Sequence, residues 1–199
     1  MEATVSWTIF REFITLAGSS RRPESAKPCG YNDRVEIALR EFRRQDFDSL
    51  WRIDQECFAP GIAYSRLELA AYIRRRGAFT VVAEPAELVV ESPGQILGFI
   101  VAQVNRVQVN RDQAKRRGLG HILTIDVPPR SQRLGVGSKL LTTAEERLRA
   151  ALCHSVVLET AVDNAAALAF YKRHQYSVVK TIPRYYSTGV DAFVLEKDF

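Results

Sequence analysis

The chain has 199 residues, of which 46% are hydrophobic and 26% are charged, a balance typical of an ordinary soluble globular protein. It contains no run of eighteen uncharged apolar residues, so the sequence excludes a typical transmembrane helix. The formal net charge of +5 makes anionic partners plausible, but a charge of this size does not by itself indicate nucleic acid.

The three cysteines, Cys29, Cys57 and Cys153, are odd in number and far apart in the sequence. They match neither a disulfide framework nor the ligand spacing of a zinc site, which fits a reducing cytosol. The amino-terminal stretch MEATVSWTIFREF lacks the basic region of a signal peptide and reaches Arg11 within a few residues. We therefore expect a cytoplasmic protein without a membrane partner.

The composition of residues 1–34 predicts a flexible extension that precedes the folded domain. Residues 17–34 are rich in Ser, Pro, Gly and charge and show no hydrophobic period. The first 16 residues have the spacing of a short amphipathic helix, and a helix of this length is marginal when isolated in water. The folded domain is expected to span residues 35–199.

From residue 35 onward the hydrophobic patterns alternate between the periods of strands and of helices. Strands are predicted at 35–42, 78–84, 95–107, 120–127, 155–162, 176–182 and 191–197. Helices are predicted around 47–58, after the capping box of Ser65 and Glu68, over 141–152, and at 164–174 with Asn164 as its cap. The order βααβββαβαββ predicts a mixed α/β (α+β) fold whose sheet is mostly antiparallel, with one parallel βαβ crossover over 120–162.

The segment ILTIDVPPRSQRLGVGSKLL, residues 122–141, joins a strand to a helix through a glycine-spaced corner. It does not match a Walker A loop, and Leu140 stands where a dinucleotide fingerprint needs its third glycine. Gln132-x-x-Gly135-x-Gly137 would present the free N–H groups and positive dipole end of the helix to an anion. Three cations lie in the same corner: Arg130, Arg133 and Lys139. On this motif alone, a phosphate site and an ordinary turn with solvated cations both remain open.

The segment VVLETAVDNAAALAFYKRHQYSVVKTIPRYY, residues 156–186, adds a second motif. It contains the pair Leu158-Glu159, then Asn164, then a helix that ends in Tyr171, then Tyr185-Tyr186. Together with the Q-x-x-G-x-G corner, this pattern resembles the GNAT acetyltransferases, and most closely the RimI-type ribosomal-protein-alanine N-acetyltransferases. The resemblance covers roughly residues 35–199 and is strongest over 121–186.

This resemblance implies the GNAT fold, with acetyl-CoA as cosubstrate, no metal, and two splayed parallel strands, 121–127 and 155–161, around the cofactor. The first strand would bind the pantetheine through its backbone, the N–H groups of 133–138 would hold the pyrophosphate, and Asn164 would fasten the far side. The implied cofactor-binding residues are Ile125, Asp126, Val127, Gln132, Arg133, Leu134, Gly135, Val136, Gly137, Ser138, Lys139 and Asn164.

Two side chains match the positions at which the RimI-type pattern moves protons. Glu159 would accept the proton of the attacking amine; the alternative is a strand residue that faces the surface. Tyr171 would donate a proton to the departing CoA thiolate, since a phenol with a pKa of about 10 is protonated at neutral pH. The alternative for Tyr171 is an aromatic side chain that packs at a helix end. A backbone N–H on the 121–127 strand would meet the oxyanion.

The sequence departs from the family pattern at three places. Gln175-Tyr176 replaces the usual Gly-Phe, so we expect a different turn after the helix; Thr124 replaces a frequent Asn; and Tyr64-Ser65 replaces Trp-Ser. These changes bear on the identity of the acceptor more than on the catalytic chemistry. The implied acceptor-binding residues are Tyr64, Tyr185 and Tyr186.

Other reactive side chains receive ordinary structural interpretations. The three histidines, His121, His154 and His174, are scattered and are not predicted to be catalytic. Cys153 is predicted to be a small buried hydrophobic residue. The basic run within 106–117 is interpreted as a solvated hairpin, with contact to RNA or the ribosome as the alternative.

Three functions follow from these motifs. The first is acetyl transfer to a protein N-terminus, with a ribosomal protein as the candidate substrate, no direct binding of nucleic acid, and a monomer or weak dimer. The second is acetylation of a small-molecule amine. The third is a non-catalytic acyl-CoA-binding or ribosome-associated module.

Overall fold

A computed structural model describes residues 36–58, 63–86, 95–106 and 118–199. These residues form seven strands and four α-helices in the predicted order βααβββαβαββ. Their bounds are β1 (Ile37–Glu41), α1 (Phe47–Cys57), α2 (Arg66–Ile73), β2 (Ala78–Pro85), β3 (Gly98–Arg106), β4 (Gly118–Asp126), α3 (Val136–Ala150), β5 (Cys153–Ala161), α4 (Ala165–Arg173), β6 (Ser177–Ile182) and β7 (Ala192–Asp198). The predicted extension, 1–34, and residues 107–117 of the basic hairpin lie outside the described residues.

The seven strands form one sheet in the order β1-β2-β3-β4-β5-β7-β6. All neighbours are antiparallel except β4 and β5, which are parallel and are joined through α3. The structure therefore confirms the predicted crossover. Among the described residues, no helix combines the length and apolar character needed to cross a lipid bilayer.

Helices cover both faces of the sheet. Successive strand residues point to opposite sides, so each central strand contributes side chains to both cores. On β2, Val81 belongs to the core cluster under α3, whereas Val82 belongs to the cluster under α1 and α2. The first cluster is filled by Leu140, Leu141, Ala144 and Leu148 of α3. The second contains Leu50, Ile53, Leu69 and Phe99.

Strands β4 and β5 diverge halfway along their length. Their parallel pairing joins Gly118–His121 to Cys153–Val157 and ends there, although β4 continues beside β3 to Asp126 and β5 beside β7 to Ala161. A β-bulge at Leu123 interrupts the β3–β4 register, where the partners of Val101 and Ala102 are Thr124 and Ile122. We call the gap between 122–126 and 158–161 the strand fork. It agrees with the splayed strands that the resemblance implied.

Local signals determine where helix α2 begins and where helix α4 ends. Ser65 accepts the N–H of Glu68 while the Glu68 carboxylate accepts the N–H of Ser65, which confirms the predicted capping box. After α4, Gln175 adopts the left-handed conformation that favours glycine, with φ of 69°. The hydroxyl of the next residue, Tyr176, donates to the buried carboxylate of Glu145 at 3.0 Å.

Candidate active site

The glycine corner forms a concave row of backbone N–H groups at the start of α3. Arg133 and Gly135 both have left-handed backbone angles, with φ of 62° and 86°. The Lys139 N–H donates to the Gly135 carbonyl at 3.0 Å, so the N–H groups of Val136–Ser138 precede the first hydrogen bond of the helix. Such a row at a positive helix end is suited to an anion.

The side chains of the corner are less uniformly directed than the sequence suggested. Arg130 forms an ion pair with Glu56, and the Lys139 ammonium donates to the Ile37 carbonyl of β1 at 3.2 Å. The Gln132 amide donates to the Val127 carbonyl at 3.0 Å and so ties the corner to the end of β4. Arg130 and Lys139 are thus already engaged, which leaves the backbone N–H groups and Arg133 to neutralise an anion at this corner.

The residues around the fork fit an extended diphosphate ligand such as acetyl-CoA. Ile125 and Asp126 lie on the part of β4 that no longer pairs with β5, so a ligand can approach this backbone as an added strand would. The Asn164 Oδ1 accepts the Ala167 N–H at 3.0 Å and caps α4. Its Nδ2 is buried and has no hydrogen-bond partner in the described part of the chain, which leaves a donor for a ligand oxygen.

A buried histidine–carboxylate pair occupies the point where the fork opens. His121 is the last residue of β4 that pairs with β5, and its Nε2 donates to the Glu159 Oε2 at 2.8 Å. The two side chains are only 9% and 5% exposed. The alternative of a surface-facing Glu159 is therefore wrong, and so is the expectation that His121 is an isolated histidine. The sequence placed both residues in strands predicted to be parallel, but it did not predict the register that brings them together.

The other two histidines have partners away from this pair. His174 contacts the Ser138 hydroxyl at 3.0 Å and the Phe170 ring, while His154 contacts the Gly118 carbonyl at 2.8 Å. Burial lowers the pKa of His174, which favours its neutral form. The position of Ser138 at the first turn of α3 is thus fixed from α4. Cys153 is buried in the core, as predicted, and burial raises the pKa of its thiol.

Tyr171 lies at the end of α4 and is 6% exposed. Its ring packs against Phe170 and Tyr176, with centroids 5.2 and 5.5 Å away, so the aromatic packing considered as an alternative is present. Burial, and then the nearby Asp126 carboxyl, raise the pKa of its phenol above the usual value. The hydroxyl is therefore held in its protonated form at neutral pH.

The three tyrosines expected at the acceptor side occupy unequal positions. Tyr64 and Tyr186 are 5% and 4% exposed and pack inside the protein, whereas Tyr185 is half-buried. Burial raises the pKa of Tyr185, and the nearby Glu159 and Tyr72 side chains raise this pKa further. Tyr72, which sequence reasoning placed only on the apolar face of α2, packs against Tyr64 with centroids 5.2 Å apart. We call Tyr64, Tyr72 and Tyr185 the aromatic wall.

The described residues contain no group of three or more His, Cys, Asp or Glu side chains arranged to hold a metal ion.

Residues 47–176 match the model of the acetyltransferase (GNAT) family. An N-acetyltransferase of Methanocaldococcus jannaschii, named MJ1530, is 30% identical over 162 residues, which are 81% of this chain and 91% of that protein. An N-alpha-acetyltransferase of Sulfurisphaera tokodaii is 30% identical over 114 residues, which are 56% of this chain and 68% of the relative.

The fold also matches that of a solved structure, the NatC complex bound to Gag peptide and CoA. The TM-score is 0.68 at 23% identity, over 82% of this chain and 99% of the other. The family match covers most of the described domain, including the corner, the fork, Glu159 and Tyr171. The chain belongs to the GNAT family and is an acetyl-CoA-dependent N-acetyltransferase.

Proposed function

We propose that this enzyme acetylates the N-terminal α-amine of a protein, and that Glu159 with His121 accepts the proton of that amine. The observation that carries the proposal is the buried His121–Glu159 pair at the opening of the fork, beside Tyr185 of the aromatic wall. The relative in Sulfurisphaera tokodaii, named an N-alpha-acetyltransferase, supports the same acceptor class.

Acetyl-CoA supplies an acetyl group that its thioester activates toward an amine. A carboxylate only accepts hydrogen bonds, so the His121 Nε2 carries the hydrogen shared with Glu159. The pair can then take up one proton, directly or through a water, as the amine attacks. In the proposed site, a backbone N–H of β4 stabilises the oxyanion, and Tyr171 gives its proton to the departing thiolate.

The acid–base chemistry favours an α-amine over a lysine side chain. An α-amine with a pKa of about 7.7–8 is roughly one-tenth neutral at pH 7, whereas a lysine with a pKa of about 10.4 is below about 0.1% neutral. A carboxylate–histidine pair can therefore remove the proton of an α-amine at a much smaller cost in free energy than that of a lysine. The pair is therefore better matched to a protein N-terminus.

The finer assignment is a protein substrate of the RimI type, a ribosomal protein. It is supported by the motif from Glu159 to Tyr186.

We also place the activity in the cytoplasm, because Cys57 and Cys153 are free thiols in a fold that offers them no disulfide partner among the described residues.

Turnover of acetyl-CoA with a set of acceptors tests the proposal. The set contains peptides from ribosomal-protein N-termini, the same peptides with a blocked N-terminus, and a polyamine. We expect turnover with free N-termini and loss of turnover when the α-amine is blocked. Turnover with the polyamine alone would show that the acceptor is a small amine.

A further inference from the structure

Two carboxyl groups that the proposed reaction does not use are buried between α1 and the cofactor strand. Asp54 on α1 and Asp126 at the end of β4 are both 0% exposed. Helix α1 packs directly against β4, and each carboxyl lies within electrostatic reach of the other. Burial, and then the charge of Asp54, raise the pKa of Asp126, against a lowering effect of the Thr124 hydrogen bond.

Asp54 holds the first residue of the aromatic wall in place. Its Oδ2 accepts the backbone N–H of Tyr64 at 2.7 Å. The Tyr64 carbonyl accepts from the Trp51 indole at 3.0 Å and from the Gln55 amide at 2.9 Å. Because Tyr64 packs on Tyr72, these three hydrogen bonds fix Tyr64 and Tyr72, two of the three residues of the wall, relative to α1.

Asp126 connects the same region to the strand expected to bind acetyl-CoA. Its Oδ1 accepts the hydroxyl hydrogen of Thr124 at 2.5 Å, while its Oδ2 is buried without a hydrogen-bond partner in the described structure. The facing titratable groups are Asp54 and Cys57 from α1 and Tyr171 from α4. On the β3 side, its strand partner is the apolar Phe99.

Two ionised carboxylates at this depth repel one another and lose their hydration. Arg130, the cation nearest Asp126 in the sequence, is already paired with Glu56 at the surface. The pair therefore keeps one proton, as closely placed carboxylates do elsewhere. Asp126 is the better place for it because Asp54 accepts hydrogen bonds from the Tyr64 N–H and the Gln55 amide, whereas Asp126 accepts one from the Thr124 hydroxyl.

We propose that Asp126 is a positioning residue whose neutral carboxyl lets α1 and the aromatic wall lie against the cofactor strand. Its ionisation pushes Asp54 and the attached wall away and weakens binding of the acceptor. The inference rests on the proposed function in one respect, that the aromatic wall contacts the acceptor.

The sign of the effect on stability follows from the raised pKa. The unfolded chain ionises Asp126 near its ordinary pKa of about 3.9, whereas the folded protein keeps the proton to higher pH. The stability that this group contributes is present below the ordinary pKa and is lost as pH rises toward the folded pKa. Asp126→Asn carries no such titration, so its stability relative to the wild type should increase with pH.

The test compares wild type, Asp126→Asn and the exposed control Asp198→Asn across neutral and alkaline pH. The KM for an acceptor peptide, the KM for acetyl-CoA and the melting temperature are measured for each. Because the neutral fraction of the α-amine also rises with pH, each peptide KM is compared with that of Asp126→Asn at the same pH. Relative to this variant, the peptide KM of wild type and control should rise with pH by about tenfold, an energy of about 1.4 kcal/mol. The acetyl-CoA KM should not change with pH in any of the three proteins.

Identical pH dependence of the peptide KM in wild type and Asp126→Asn would overturn the proposal. If the variant does not fold, carbon-13 NMR of the aspartate carboxyls in the wild-type protein decides instead. A neutral Asp126 at pH 7 supports the inference and an ionised one overturns it. That titration needs no acceptor, so it also separates this inference from the proposed function, whose failure would appear as turnover of a small amine only.

Discussion

At the scale of single residues, we propose that proton transfer is divided between the His121–Glu159 pair and Tyr171. The His121–Glu159 pair joins β4 to β5 where they part, and Tyr171 approaches from the end of α4. Both side chains of the pair are almost fully buried, so little water is available to replace the hydrogen bond that is lost when either residue is changed. The two members should therefore behave as one unit.

A double-mutant cycle tests whether they do. Glu159→Gln keeps the shape and a hydrogen bond to His121 but loses proton acceptance, so kcat should fall roughly 10²–10⁴-fold, the usual size of general acid–base catalysis. His121→Gln should cause a loss of similar size, and the double variant should be little worse than the poorer single one. Acetyl-CoA affinity, measured by calorimetry, should barely change. Fully additive losses would show that the residues act independently.

Tyr171→Phe separates the proposed acid from its aromatic packing. The variant keeps the ring against Phe170 and Tyr176 but has no proton for the thiolate, so kcat should fall and raising the pH should not restore it. Tyr176→Phe is the matched control, because its hydroxyl is bonded to Glu145 within the core. The control should lose about 1 kcal/mol of stability and keep its kcat. Equal kcat in wild type and Tyr171→Phe would leave the tyrosine with a packing role only.

At the scale of elements, the corner before α3 and the turn after α4 both depend on left-handed backbone. Gly135, Arg133 and Gln175 all have positive φ, but glycine stands at only one of these three positions. Apart from its own chain neighbours, a Cβ at Gly135 would meet no atom of the described residues within 4 Å. The effects of a substitution there therefore come from the backbone and from the added charge, not from a clash.

Gly135→Asp and Gly135→Asn form a pair that isolates the charge at the corner. Asn and Asp have similar shapes and both tolerate left-handed backbone, so the two variants share the conformational cost. A carboxylate at the anion site should weaken acetyl-CoA binding at least about tenfold more than the amide does, about 1.4 kcal/mol. Calorimetry gives both affinities; equal values in two folded variants would mean that the diphosphate is bound elsewhere.

Gln175→Gly should stabilise the protein. A left-handed residue with a side chain costs about 1–2 kcal/mol, and the greater freedom of glycine in the unfolded chain takes back about 0.5–1 kcal/mol. The expected net gain in the free energy of unfolding is about 0.5–1 kcal/mol, measured by urea denaturation. Lys172→Gly, one turn earlier in α4, should instead lose about 1 kcal/mol. A loss at both positions would contradict the strain assigned to Gln175.

At the scale of the whole molecule, the sequence predicts what depends on neighbours in the chain. The order of elements, the β4–α3–β5 crossover and the caps at Ser65 and Asn164 follow from periodicity and short-range hydrogen bonding. Element bounds differ from the predicted ones by a few residues: β3 begins at Gly98 rather than residue 95, and α3 begins at Val136 rather than residue 141.

The parts that could not be predicted depend on long-range register. The contact of His121 with Glu159 requires the exact alignment of two strands joined by a helix, and the bulge at Leu123 changes which side chains follow it. The partner of Lys139 is 102 residues away on β1, and no local pattern indicates it. The burial of Tyr64 follows from its packing on α1 and α2 in the same way.

One peptide that carries both a free N-terminus and an internal lysine shows whether the enzyme prefers an α-amine as its acceptor. The peptide is incubated with enzyme and acetyl-CoA near pH 7, and mass spectrometry locates the acetyl group at early times. Since the neutral fraction of the α-amine exceeds that of lysine by about a hundredfold or more, we predict acetyl at the N-terminus and almost none on the lysine. Acetylation of the lysine at an equal or greater rate would show that the proposed acceptor is wrong.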